Sequence, residues 1–270
     1  MAAICRKMKL LLVAALILRS GGAAGVPLHA QNRRVAAEPR IRVLVVSGGP
    51  FHDYVLQSKL LMEALGKALP IDWTVIVEGA ATNSRVALYN TPNWASGFDV
   101  VVHNECYADV ADETFIRKIT APHRGGVPAI VIHCAMHSYR DAKVDDWREF
   151  LGVSTRRHTQ QHRIAVKVID AAHPTMQGWK SNWVTPTDEL YVIDKLWPTA
   201  RALATAVSPE DKTEYPLVWV NDYGGTRVFG TTLGHSNETW SDPVFQDLLV
   251  RGLKWTLENK VRPSSSRMKD

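Results

Sequence analysis

The sequence has 270 residues, of which 46% are hydrophobic and 22% charged, so disorder, collagen and coiled coil are excluded as its main structure. This length is enough for one large α/β domain with a substantial core. Four basic residues and no acidic residue lie in the first thirty positions, so the formal net charge of +5 falls to +1 without them. A nearly neutral body argues against binding to nucleic acid or to an anionic membrane.

The first thirty residues have the pattern of a secretory signal peptide. Three basic residues precede an apolar run at 10–18, and small residues follow the run. The run is shorter than the roughly 20 residues of a membrane-spanning helix. We expect cleavage after Ala30, or alternatively after Ala24, and a secreted or periplasmic protein that is free of the membrane once cleaved. The other interpretations are a retained membrane anchor and a misassigned start codon.

The cysteine content fits export but not a disulfide scaffold. Cys5 lies in the predicted leader, which leaves Cys106 and Cys134 in an oxidising compartment. Two cysteines are too few to replace a hydrophobic core. They can pair only if the fold brings their Cα atoms within about 7 Å of each other.

Short apolar strands alternate with helices along the rest of the chain, after a polar linker at 31–40. The predicted strands are 41–47, 73–77, 98–103, 127–133, 164–169, 190–193, 201–207, 217–221 and 227–233. Helices are predicted around 56–65, 111–119 and 242–258. The alternation predicts one α/β domain over 41–258, with a doubly wound, mostly parallel sheet flanked by helices and a polar tail at 259–270.

Histidines follow several of the predicted strands. In open parallel sheets, ligands bind beyond the carboxyl ends of the strands. The histidines at four such ends are His52, His103, His133 and His235. Their convergence predicts a functional site at this edge of the sheet.

Two histidine pairs have the spacing of metal ligands on a helix. His133 and His137 are four residues apart and would share a face if the turn between them were helical. His158 and His162 have the same spacing in an arginine-rich stretch, where we expect solvated side chains. A full HExxH motif is absent from the sequence.

The turn after the fourth strand resembles the nucleophile elbow of class I glutamine amidotransferases. Gly126-Val127-Pro128 precedes an apolar strand and a sharp turn, as in that family. His133 occupies the position of the family's catalytic cysteine, and Cys134 comes one residue later. His235 matches the triad histidine, but the carboxylate that follows it in the family is absent. Without a positioned thiolate, the resemblance implies the fold and excludes amidotransferase activity.

A set of short motifs in shared order also resembles the ThuA-like (trehalose utilisation) family, which is related in fold to those amidotransferases. The motifs are Val43-Leu44-Val45-Val46 leading to His52, Asp99-Val100-Val101-Val102, Gly125-Gly126 leading to Ile132-His133, His173-Pro174, Thr187-Asp188-Glu189-Leu190-Tyr191, Pro216-Leu217-Val218-Trp219-Val220, Leu233-Gly234-His235, Thr239-Trp240-Ser241-Asp242-Pro243-Val244-Phe245 and Arg251-Gly252-Leu253-Lys254-Trp255. The sequence departs from the family pattern at Arg124, where a third glycine is common, and at residues 103–106, an unusual stretch after the third strand.

The resemblance implies a role in the catabolism of disaccharides and related keto-glycosides, with a small-molecule sugar as partner. The expected catalytic residues are His133, His235 and Glu189, as general acid and base groups in place of the amidotransferase triad. The expected substrate-binding residues are His52, Asn104 and Trp240, the last by stacking on a sugar face. The one cofactor that the residues suggest is a divalent metal, with His52, His133 and His235 as candidate ligands.

Three functions are therefore compared. The leading hypothesis is a secreted sugar-processing enzyme with a His/Glu site. The alternative is a non-catalytic carbohydrate-binding or accessory protein on the same fold. A cysteine hydrolase using Cys134 or Cys106 is disfavoured, because neither cysteine has the required position at the turn.

Overall fold

The computed structural model describes residues 40–179 and 182–261. The predicted signal peptide, all but the last residue of the linker, and residues 262–270 of the tail lie outside the described residues. The strands are β1 (Ile41–Gly48), β2 (Ile71–Val77), β3 (Val100–Glu105), β4 (Ala129–Ile132), β5 (Val153–His158), β6 (His162–Ala165), β7 (Lys167–Val168), β8 (Val184–Asp188), β9 (Tyr191–Leu196), β10 (Ala200–Val207), β11 (Glu214–Tyr223) and β12 (Thr226–Thr231). The helices are α1 (Tyr54–Ala68), α2 (Glu113–Arg124), α3 (Asp146–Leu151), α4 (Asn237–Ser241) and α5 (Pro243–Val261).

The central sheet has eight strands in the order β2-β1-β3-β4-β12-β11-β10-β7. The five strands from β2 to β12 run parallel, whereas β11, β10 and β7 each pair antiparallel with the strand before them. This arrangement confirms the predicted mostly parallel α/β sheet. The parallel strands direct their carboxyl ends to one edge, where a ligand site is expected.

Both faces of the sheet are covered, as a doubly wound sheet requires. Val43 and Val45 of β1 pack toward the side of α1 and α5, and Leu44 and Val46 pack toward the side of α2 and α3. All four side chains are fully buried. A strand that is buried on both faces needs an unbroken apolar run rather than an alternating pattern. This is why the sequence of β1 identifies it so clearly.

The connection from β1 to α1 brings a histidine to the sheet edge. The Asp53 carboxylate caps α1 by accepting the backbone N–H of Leu56, at 3.0 Å. An N-cap carboxylate satisfies an otherwise unpaired helix donor and fixes where the helix begins. His52 therefore precedes the helix at a defined position beside the carboxyl end of β1.

The segment between β4 and β10 differs most from prediction. It contains α3, β5 and β8, which the sequence pattern did not predict, and the predicted strand 164–169 is divided between β6 and β7. β5 pairs with β9 and β6 with β8, forming two small antiparallel sheets apart from the central one. These strands are short and mostly exposed, so they lack the apolar run that reveals a central strand.

Among the described residues, no helix combines the length and the hydropathy that a bilayer crossing would require.

Candidate functional site

His133 occupies a strained turn at the end of the central strand β4. Its φ angle is +48°, in the left-handed region, and it opens a 3-10 turn that extends to His137. Such a conformation costs a residue with a side chain on the order of 1–3 kcal/mol and concentrates at functional sites. A strained strand-to-helix turn that exposes one side chain is the geometry of a nucleophile elbow. Here the elbow carries an imidazole, which differs from that geometry in being buried, with only 1% of the residue exposed.

The loop after β12 brings His235 next to the elbow. Gly234 has a φ of +123°, and a Cβ at this position would lie 3.2 Å from Ile132 Cγ2 and 3.4 Å from His133 Cβ. The backbone N–H groups of Gly234 and His235 donate to the buried carboxylate of Asp188, at 3.0 and 3.3 Å. The glycine and the aspartate together permit the close approach of His235 to His133, whose ring centroids are 5.5 Å apart.

His52 completes a cluster of three imidazoles. Its ring centroid is 4.9 Å from that of His133 and 5.0 Å from that of His235, with the rings nearly perpendicular. One nitrogen from each ring can be chosen so that the three atoms lie within 4.8 Å of one another. We call His52, His133 and His235 the histidine cluster. It comes from the ends of β1, β4 and β12, as the strand-end argument predicted.

Glu189 faces the histidine cluster from the turn between β8 and β9. Its carboxylate lies 3.2 Å from His235 Nδ1, 3.6 Å from His158 Nε2 and 3.7 Å from His133 Nε2. The side chain is almost completely buried. One carboxylate thus contacts three imidazoles, which brings together the three expected catalytic residues His133, His235 and Glu189.

His52, His235 and Glu189 border a pocket of about 290 Å³, whereas His133 is buried and lies outside its wall. Its wall consists of Phe51, His52, Cys106, Ala108, Cys134, His137, Arg140, His158, Glu189, Tyr191 and His235. The volume lies near the lower end of the range for small-molecule sites. Phe51 is 57% exposed, so it offers a free aromatic face beside the pocket.

Cys106 and Cys134 form a disulfide in this wall. It joins the residue after β3 to the residue after His133. Their Cα atoms are 5.2 Å apart, which satisfies the distance condition for pairing. Paired cysteines supply no thiolate, so the pocket lacks the nucleophile that cysteine hydrolysis and glutamine amide transfer both need.

Burial and neighbouring charges set the protonation of the site. Burial lowers the pKa of His52 to about 4 and also lowers that of His133, where His52 adds to the effect. The Glu189 carboxylate raises the pKa of His235 above its usual value. Burial acts to raise the pKa of Glu189, but contact with His235 and the charge of His158 outweigh it and the pKa falls. Near neutral pH, the site therefore combines an ionised carboxylate with neutral His52 and His133.

Hydrogen bonds orient two of the imidazoles. His133 Nδ1–H donates to the carbonyl oxygen of Thr232 at 2.7 Å, which leaves Nε2 as the free acceptor, 3.5 Å from the Tyr191 hydroxyl. The Gln161 amide lies 2.7 Å from His235 Nε2 and 3.5 Å from Glu189 Oε1. Sequence reasoning missed Gln161 and Tyr191, although Tyr191 belongs to a motif already identified.

Asn104 and Trp240 do not line the pocket, which corrects their expected role in substrate binding. The Asn104 amide donates to Ser47 Oγ at 3.2 Å and to Gln57 Oε1 at 3.1 Å inside the protein. Trp240 is 1% exposed, and its indole N–H donates to the Gly234 carbonyl at 2.8 Å. Both residues support the loops beneath the site, because their polar atoms are already used and their apolar surfaces are buried.

His103, the fourth strand-end histidine, lies apart from the cluster. Its ring is fully buried between Glu105 Oε1, 2.9 Å from Nδ1, and His123 Nε2, 3.0 Å from Nε2. Tyr89 donates its hydroxyl to the same glutamate oxygen at 2.8 Å. His103 and Glu105 point to the face of the sheet that α2 covers, so they form a polar network inside the core.

The two histidine pairs do not form metal sites of their own. The turn after His133 does not continue as an α-helix, and His137 stacks on Tyr191 with centroids 4.3 Å apart. His158 is exposed, as expected, and it also reaches the pocket beside Glu189. Its partner His162 instead contacts the Gln160 carbonyl, at 2.8 Å, outside the pocket wall.

Comparisons with known proteins agree with the observed fold. A family model described as "ThuA: Trehalose utilisation" matches residues 42–256. A solved structure of a ThuA-like protein from Parabacteroides merdae is similar, with 22% identity, a TM-score of 0.68, and coverage of 83% of this chain and 92% of that chain. A ThuA-like protein from Bacteroides uniformis has 14% identity and a TM-score of 0.64, with coverage of 86% and 96%.

A protein described as part of a GMP synthase, from Thermoplasma acidophilum, has 10% identity and a TM-score of 0.51, with coverage of 82% of this chain and 98% of that chain. At these identities, the solved structures establish a shared fold only. Curated proteins gave no match.

Proposed function

We propose that this chain, which belongs to the ThuA family, acts in carbohydrate catabolism through the pocket lined by Glu189, His52 and His235, together with the adjoining His133. The family's description as trehalose utilisation is consistent with a disaccharide as the source of the substrate. The finer proposal is that the pocket processes a disaccharide or its keto derivative. The pocket volume of about 290 Å³ favours entry of one sugar ring, with the rest of the substrate extending past Phe51.

The contact of Glu189 with several imidazoles is the observation that carries the proposal. Sugar chemistry requires proton transfer to and from hydroxyl or glycosidic oxygens, and positioned carboxylates and imidazoles perform it. Glu189 lies 3.2 Å from His235 and 3.7 Å from His133, so a proton can pass among groups that already touch. His52, on the other side of the cluster, contributes to substrate binding in this proposal.

Binding without catalysis is the second candidate, and Phe51 is the observation that favours it. An aromatic ring that is 57% exposed beside a polar pocket suits stacking on a sugar face. A carbohydrate-binding or accessory protein would need this platform and the polar wall, but no proton transfer. Saturable sugar binding without turnover would support this candidate over the enzyme.

The test is a screen of the purified protein against disaccharides and their keto derivatives. On the sugar that reacts, Glu189→Gln, His235→Ala and His133→Ala should each lower turnover by roughly 10²–10⁴-fold, the usual effect of losing a general acid or base. A His133/His235 double variant should lose little more than the worse single variant, because groups that act together are non-additive.

His162→Ala is the matched control, since this histidine lies outside the pocket wall and should leave turnover unchanged. The melting temperature of each variant separates catalysis from stability. Full turnover in Glu189→Gln, or loss only in proportion to lost stability, would refute the acid–base proposal.

Export is part of the proposal and is tested separately. The pattern of the first thirty residues supports cleavage after Ala30 and a secreted or periplasmic protein. Mass spectrometry of the protein from its native host should find an N-terminus near Gln31. Recovery of the chain with its leader intact would contradict export with cleavage.

A further inference from the structure

We propose that the histidine cluster binds one divalent transition-metal ion of the zinc type. The inference rests on the same pocket as the proposed function and specifies what His52, His133 and His235 do there. Three imidazole nitrogens within 4.8 Å of one another form a donor set that suits zinc, nickel, copper or iron. The three rings come from three separate strand ends, so the fold itself assembles them.

The orientation of His133 is that of a metal ligand. A metal-binding histidine usually donates its second N–H to a carbonyl or carboxylate, which fixes the ring and its tautomer. His133 Nδ1–H donates to the Thr232 carbonyl at 2.7 Å, so the lone pair is on Nε2, which lies 3.7 Å from the Glu189 carboxylate. His133 is also buried, with 1% of the residue exposed, so its packed surroundings and the bond to Thr232 hold the ring at the elbow.

His235 offers the second ligand through Nδ1. This nitrogen is buried and has no hydrogen-bond partner, although the Glu189 carboxylate is 3.2 Å away. The other ring nitrogen, Nε2, lies 2.7 Å from the Gln161 side-chain amide. Rotation of that amide by half a turn presents its oxygen to Nε2–H, and the lone pair then resides on Nδ1. Gln161 would be the outer partner of His235, as Thr232 is of His133.

Glu189 has the place of the base beside a metal-bound water, because its carboxylate borders two of the proposed ligands. Its Oε1 lies 3.2 Å from His235 Nδ1, and its Oε2 lies 3.7 Å from His133 Nε2. Bonds of 2.0–2.1 Å in a tetrahedral site place neighbouring ligand atoms about 3.4 Å apart. The longest separation in the cluster is below 4.8 Å and closes with small rotations of the less buried His52 and His235 rings.

A metal at this position would change the roles of the residues around it. An ion would take up the lone pairs of His133 and His235, so proton transfer would fall to Glu189 alone. A bound ion of this class would act as a Lewis acid on a carbonyl or hydroxyl oxygen of the sugar.

The experiment measures metal uptake without any sugar. Protein stripped with chelator and dialysed is titrated with Zn²⁺ by calorimetry, and the metal content of the reloaded protein is measured by mass spectrometry. The wild-type chain should take up one equivalent. His52→Ala, His133→Ala and His235→Ala should each weaken Zn²⁺ binding by more than 100-fold, whereas Gln161→Ala, which removes only an outer partner, should weaken it by roughly 10–100-fold.

His162→Ala is the matched control, because its ring contacts the Gln160 carbonyl and it belongs neither to the pocket wall nor to the histidine cluster. It should keep one equivalent with unchanged affinity. Circular dichroism checks that each variant is folded. If His133→Ala does not fold, the visible absorption of Co²⁺ bound to the wild-type protein still reports the geometry of the ligands. Wild-type protein that takes up no Zn²⁺ or Co²⁺, or a His162→Ala variant as impaired as His52→Ala, would overturn the proposal.

The outcome is distinguishable from failure of the proposed function. Stoichiometric Zn²⁺ binding with no sugar bound or processed would keep the metal site and refute the carbohydrate role. Sugar turnover that survives complete chelation, in a protein that does not bind Zn²⁺, would keep the carbohydrate role and refute the metal site.

Discussion

Removal of the Asp188 carboxylate should destabilise the protein and disorder the candidate site at once. Asp188 is fully buried, and its two oxygens accept the backbone N–H groups of Gly234 and His235, at 3.0 and 3.3 Å, as well as that of Glu189 at 2.8 Å. It therefore connects the end of β8 to the loop after β12. In Asp188→Ala, the two long-range donors lose their acceptor.

The loss of stability in Asp188→Ala follows from the burial of those donors. A buried polar group left without a partner costs about 1–3 kcal/mol, so two such groups cost about 2–6 kcal/mol. Burial raises the pKa of Asp188, which shows that the ionised carboxylate is itself disfavoured, and its removal offsets part of the loss. We therefore expect Asp188→Ala to lower the free energy of unfolding by about 3 kcal/mol. For a domain of this size, that corresponds to a fall in melting temperature of roughly 6–12 °C.

Asp222→Ala is the control for the same chemistry in solvent. The exposed Asp222 carboxylate also accepts a backbone N–H, from Gly225 at 2.6 Å in the turn between β11 and β12. Water can replace this acceptor, so the loss should stay within about 1 kcal/mol. Urea unfolding of both variants gives the comparison. Equal, small losses for Asp188→Ala and Asp222→Ala would refute the argument from burial.

Three further predictions concern pH, chelation and glutamine. Burial and the neighbouring His103 lower the pKa of His123, so His123 binds a proton more readily in the unfolded chain than in the folded chain. The free energy of unfolding should therefore fall as the pH drops below about 6.5, by up to about 1.4 kcal/mol per pH unit for this group. In His123→Gln, urea unfolding should show a weaker dependence of stability on pH. An unchanged slope in that variant would count against the assignment. A chelator alone should leave the fold intact, because the core does not depend on an ion for stability, and cooperative unfolding on chelation would contradict this. Purified protein should release no ammonia from glutamine, since position 133 is a histidine and Cys106 and Cys134 are paired; activity that survives repurification would overturn this.

The sequence by itself predicted the central sheet and the edge of the sheet where the candidate site lies. Strands such as β1 are buried on both faces, and such burial requires an apolar run that is visible in the residues alone. Parallel strands bring their carboxyl ends to one edge, so His52, His133 and His235 could be expected together before any distance was known. The resemblance of the motifs to the ThuA-like family was confirmed over residues 42–256.

Tertiary structure alone decided the composition of the pocket. His158 reaches Glu189 from the end of the short strand β5, and Gln161 reaches it from the turn between β5 and β6, where the sequence has no periodic signal. The pairing of Cys106 with Cys134 depends on a distance between two loops. Trp240 belongs to a family motif in the sequence, yet packing buries it. His103 was expected to end its strand, but β3 continues to Glu105, and the His103 side chain points to the face that α2 covers. A pattern shows which residues end a strand; which side chains then meet depends on loop paths and on packing between segments far apart in the chain.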